Sequence, residues 1–149
     1  MTVIAHKIIL QNLYEALKNE VKIDNTDWLV ITTYASKWKT SVAEALLDLN
    51  IIEEPVLARC LAVSHGLNYI PSVNLQFDFS QVSLENYNDL MNVCAVPISD
   101  FKLAVSNPDD DHRGFLGQKF CEREMVVSER SGIMEALRKY GQESLDDAE

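Results

Sequence analysis

The sequence predicts an α+β fold: a four-helix N-terminal unit followed by a small α/β unit with about three short strands. Three observations predict it. Residues 13–35 and 42–64 repeat one another at a fixed offset of 29 residues. Leu13 maps to Val42, Glu15 to Glu44, Ala16 to Ala45, Leu17 to Leu46, Ile23 to Ile52 and Trp28 to Leu57. The pattern then changes at Gly66, from helical spacing to short extended runs separated by turns. Finally, 47% of the 149 residues are hydrophobic, enough to bury a core. A helical array stacked only on itself needs at least about three units. Two copies therefore predict a compact subdomain rather than a solenoid.

Each copy reads as a short amphipathic helix, a break, and a second helix. The first helix is expected over residues 4–20, with Leu13, Ala16 and Leu17 on its apolar side. Asp24, Asn25 and Thr26 offer acceptors for the N-cap of a second helix, which carries Trp28, Ile31, Tyr34, Ala35 and Trp38. The β-branched run Val30 to Thr33 would suit a strand as well. The register of the repeat decides for helix. The third helix starts near Thr40 or Ser41 and holds Val42, Ala45 and Leu46. Glu53, Glu54 and Pro55 open the fourth, with Pro in the first turn and acids at the positive end of the dipole. Gly66 stops it.

After Gly66, residues 67–71 read as extended and 72–81 as a loop. A helix is expected over residues 83–91, with Ser83 and Glu85 in its first turn. Two strands, 93–98 and 102–106, flank Ser99 and Asp100 as a tight hairpin. Residues 110–120 are expected to be helical, 125–127 a third strand, and 130–140 a last helix. The domain organisation expected is therefore 1–66 helical, 67–141 α/β, and 142–149 a disordered acidic tail with four acids and no base.

Composition narrows the function classes. The formal net charge of −10 argues against nucleic acid and anionic lipid as partners. Cys60, Cys94 and Cys121 are widely spaced, with no Cys-x-x-Cys, so no zinc site is expected and the cysteines read as reduced core residues of a cytoplasmic protein. No run reaches 18 apolar residues, so no membrane insertion is expected. Asp109 to His112 reads as an acidic helix N-terminus rather than a metal site, and His65 as a helix-end residue rather than the base of a cysteine nucleophile. No catalytic, cofactor or metal residue is assigned, and the chain is expected not to be an enzyme.

Several stretches resemble a known family. They are residues 42–52, then Gly66-Leu67-Asn68-Tyr69-Ile70, then Ala95-Val96-Pro97-Ile98, and residues 102–108. The chain resembles the N-terminal domain of type II secretion and type IV pilus assembly ATPases, also found on some bacterial glycosyltransferases. The resemblance covers about residues 10–140. It implies two helical motifs before a compact α/β subdomain. One branch of that family binds cyclic di-GMP through paired motifs that begin Arg-Leu-Gly and end in Gln. At those positions this chain has Asn12 and Ser41 for Arg, Tyr14 and Ala43 for Gly, and Ala35 and Ser64 for Gln. The apolar skeleton is kept while the polar contacts are not. Cyclic di-GMP is therefore expected not to bind, and no nucleotide-contacting residue is carried over. The family's ATPase module is absent from the sequence, with no Gly-x-x-x-x-Gly-Lys-Ser/Thr. A free-standing regulator and a segment of a longer protein both fit, and the acidic end favours the first.

The resulting expectation is a non-enzymatic cytoplasmic interaction module. Its partner would be a protein in a membrane-associated bacterial assembly for secretion, type IV pili or polysaccharide export. The alternative is a sensor that binds a cyclic dinucleotide through a modified site. Expected partner-contact residues are Trp38, flanked by Lys37 and Lys39, and Tyr14 on an outer face of the first helix. For Trp38, packing between the two helical copies is the competing expectation.

Overall fold

The structure is a computed structural model that describes residues 3–108, 120 and 123–145, with side chains described from Leu10 to Glu143 in that range. It forms two compact units, Met1–Gly66 and Leu67–Glu149.

The first unit contains α1 (Val3–Glu20), α2 (Asn25–Trp38), α3 (Val42–Asp48) and α4 (Glu54–His65). Side-chain chemistry sets the boundaries. Asp24 caps α2 in a reciprocal box: Asp27 N donates to Asp24 Oδ1 at 2.9 Å, and Asp24 N donates to Asp27 Oδ2 at 3.0 Å. Ser41 Oγ accepts from Glu44 N at 3.0 Å and starts α3. Gly66, with φ of 67°, closes α4 in the left-handed region that glycine adopts without strain. α1 packs mainly on α4, and α2 on α3. The first helix of each copy thus packs on the second helix of the other. This exchange buries equivalent positions, Leu17 with Leu46 and Ile31 with Cys60, all at most 2% exposed. It closes the core with two copies where a stack would need a third.

The second unit contains β1 (Asn68–Tyr69), α5 (Leu84–Val93), β2 (Ala95–Ile98), β3 (Lys102–Val105), β4 (Glu124–Val127) and α6 (Arg130–Tyr140). The sheet order is β1-β4-β3-β2, with β2 antiparallel to β3 and the other pairs parallel. The sheet has four strands rather than three, because the extended piece after Gly66 pairs with β4. The stretch expected as a loop contains two 3-10 turns, Ser72–Asn74 and Phe79–Gln81. Glu129 ties its start to α6: it accepts from Tyr69 Oη at 3.0 Å and from Ser72 N at 2.9 Å. α5 and α6 cover the sheet, with Leu90, Val96, Leu103, Val105, Ile133 and Leu137 buried between them. The helix expected over 110–120 lies outside the described residues, except for Phe120, which is helical and buried. Of the expected tail, residues 146–149 lie outside the described residues, and a π-helical turn spans Gly141–Leu145.

Candidate functional site

The helical unit carries the repeat and the residues expected to contact a partner. Position 12, which opens the first copy, lies in the middle of α1 and is exposed. Asn12 lines an open groove of about 630 Å³ with Glu15, Ala16, Lys18, Asn19 and the exposed Val63 of α4. A second groove of about 520 Å³ continues past Lys18 and Asn19 around the α1–α2 turn, where Val21, Lys22, Asp24 and Asp27 line it. The charges are mixed: Lys18 and Lys22 stand among Glu15, Glu20, Asp24 and Asp27.

The second copy is used differently. Ser41, the equivalent of Asn12, is the N-cap of α3, so its hydroxyl already serves the backbone. Ala43, Ala35 and Ser64 are buried. Ser64 Oγ donates to Leu61 O at 2.9 Å. Of the six positions equivalent to the paired motif's polar and glycine residues, only Asn12 is exposed to solvent.

Tyr14 corrects an expectation. It is 6% exposed and does not present an outer face. Its ring stacks on Trp28, with centroids 5.0 Å apart and planes inclined by 19°, and its hydroxyl donates to Asn25 Oδ1 at 2.8 Å. Lys18 Nζ lies 5.2 Å from the same ring. A tyrosine at the glycine position thus becomes the wedge between α1 and the start of α2. Its partner Trp28 is half-buried beside it rather than sealed in the core.

Trp38 is 63% exposed at the last position of α2, so it does not pack between the copies. Tyr34 lies 6.2 Å from it, ring to ring, and Lys37 Nζ 5.7 Å from its centroid. Lys39 follows in a left-handed conformation, φ of 53°, and its amide closes the helix on Ala35 O and Ser36 O. Leu29 and Val30, at 64% and 56% exposure, are further exposed apolar residues of α2, with Leu29 nine residues from Trp38 and so on the other side of the helix. Periodicity could have marked them, since they fall opposite Ile31 and Ala35 on the helix.

The cysteine candidates Cys60 and Cys94 are both buried. Burial, and then Glu20, push the Cys60 thiol up to about 11, with Arg59 opposing, so it is a protonated core residue at neutral pH. Cys94 is buried in the other unit, where its thiol donates to Arg130 O at 3.7 Å. The Asp109 to His112 cluster lies outside the described residues. Among the described residues, no group of three or more His, Cys, Asp or Glu could hold a metal ion. No helix among them is long and apolar enough to cross a membrane.

No family model matches the sequence, and no curated protein matches it. A solved structure does: MshE with cyclic di-GMP, at a TM-score of 0.67 and 18% identity, over 86% of this chain and 97% of that one. The chain has the fold of that MshE domain. At this identity the likeness is one of fold, and at that level the resemblance to the N-terminal domain of secretion and pilus ATPases holds. The neighbour also overturns one expectation. The expected exclusion of cyclic di-GMP rests on the replaced arginines, glycines and closing glutamines and on the acidic charge, and it does not stand against a domain of the same fold solved with the nucleotide.

Proposed function

We propose that this chain is a non-catalytic regulatory module that docks, in the cytoplasm, on a bacterial machine for secretion, type IV pili or polysaccharide export. The helical unit is its recognition half. The observation that carries this reading is the fold shared with the MshE domain. The same unit displays a rigid apolar corner, Trp38 between Lys37 and Lys39. A large aromatic beside cations is the composition of an interface anchor. The test is capture of purified cytoplasmic components of such a machine by the wild-type chain and by Trp38→Ala. Truncating an anchor Trp costs at least about 2 kcal/mol of binding, roughly thirty-fold in affinity. An exposed Trp should leave the melting temperature unchanged. Equal capture by both proteins would remove Trp38 from the contact.

A second reading is favoured by one observation, the cyclic di-GMP in the MshE structure. In this reading the fold presents the nucleotide surface, and the groove at Asn12 receives the ligand, with Lys18 and Lys22 as its nearest cations. At about 100 times its dissociation constant, a ligand stabilises the folded state by about 2.7 kcal/mol. For a chain of this size that corresponds to a rise in melting temperature of roughly 5–10 °C. No shift at millimolar nucleotide would reject it.

A further inference from the structure

Arg123, the residue before β4, is only 7% exposed. Its Nη1 donates to Lys102 O at 3.2 Å, while its Nε is buried with no hydrogen-bond partner among the described residues. Two rings flank the guanidinium, with the Phe101 centroid 4.6 Å from Cζ and the Phe120 centroid 5.7 Å from it. Ring faces attract a cation but carry no lone pair to accept an N–H.

No described acid supplies the missing charge. Glu124, the next residue, pairs with Lys102 at 3.8 Å. The Asp78 carboxyl is held below the usual carboxylate range by its Ser80 hydroxyl bond, against desolvation, and further by the Ser80 amide and the charge of Arg123. Its Oδ1 is taken by the Ser80 amide and hydroxyl, and no ion pair joins it to Arg123 among the described residues. A buried guanidinium in this state is costly unless an anion reaches it.

We propose that Arg123 is the receptor for a small monocarboxylate with an apolar body. Three observations select this ligand. Lys102 O occupies Nη1, which leaves the Nε–Nη2 edge, a fork of two parallel donors that matches the two oxygens of one carboxylate. With Lys102 already paired to Glu124, one cation is on offer, which suits a monoanion rather than a phosphate dianion. The rings beside the guanidinium give the body of the ligand aromatic contact.

Phe101 is the point of entry. It is 59% exposed, and its φ of 59° is a left-handed backbone that a bulky side chain adopts only under strain. Turning this exposed ring aside opens the guanidinium and leaves the buried Phe120 in place. The net charge of −10 opposes any anion, so binding is weak. The site lies in the second unit and does not rest on the docking reading or on the groove at Asn12.

NMR of the wild-type chain reads it directly through the Arg123 Nε–Hε signal, with benzoate as the probe and benzamide and inorganic phosphate as controls at matched ionic strength. Benzoate should move this signal saturably, with a dissociation constant on the order of 1 mM. Benzamide should not move it, and phosphate should bind at least about tenfold more weakly. Arg123→Lys keeps the charge and loses the fork, and should weaken benzoate at least about tenfold, read on the Phe101 amide signal. If that variant fails to fold, the wild-type signal decides. A signal unmoved at about 50 mM benzoate overturns the proposal. So does an equal response to benzamide, or phosphate bound as tightly as benzoate. Benzoate binding that appears only after Asp109, Asp110 and Asp111 are all changed to Asn also overturns it, because the chain then supplies its own carboxylate.

Discussion

Tyr14 and Trp38 are aromatic residues of the same unit with opposite surroundings. Tyr14 is enclosed because Trp28 and Asn25, one helix away, supply a ring to stack on and an acceptor for the hydroxyl. The spacing of Leu13 and Leu17 along α1 cannot show this, since the enclosing groups come from α2. Trp38 is exposed because α2 ends at it and no following turn covers it. Gly132 is a residue whose importance the helical pattern of 130–140 hides. A Cβ there would collide with the Ser72 side chain, so α6 approaches the 3-10 turn at Ser72–Asn74 as closely as a glycine allows. Gly132→Ala trades a gain in helix propensity of about 1 kcal/mol against overpacking of about 1–3 kcal/mol. The expected outcome is a net loss of about 1 kcal/mol of stability, read as a lower urea midpoint. A stabilised variant would mean that the turn at Ser72 yields freely.

At the scale of elements, caps made the helices legible. Asp24, Ser41, Ser83 and Gly66 all mark ends where the sequence put them. The two copies differ in how their second helix starts. α2 has a complete capping box, whereas Glu53 makes no side-chain cap bond to α4 and Pro55 sits in its first turn. Asp24→Ala should therefore cost about 1 kcal/mol of stability, and Glu53→Ala only a few tenths. Equal losses in chemical denaturation would show that the dipole, not the bond, sets the cap energy. Strand β1 was less legible. Two residues, Asn68 and Tyr69, count as a strand only because they pair with Val126 and Val127, far along the chain. Nothing local announces such a partner.

At the scale of the molecule, the division at Gly66 and the α+β class follow from the switch of periodicity, which is a local property of the sequence. The reciprocal pairing of α1 with α4 and α2 with α3 was not written in either copy alone. It depends on two apolar stripes meeting across the repeat. The candidate site was legible only in part: Trp38 could be picked out as a large apolar residue between lysines, but the groove at Asn12 needs α4 to bring Val63 beside α1. The central claim is that recognition resides in the helical unit. Hydrogen–deuterium exchange of the full chain, with and without a captured machine component and at one fixed chain concentration, tests it most directly. New protection within α1–α4, strongest around Trp38, is the predicted result. Protection confined to the strands and helices after Gly66 would contradict the account.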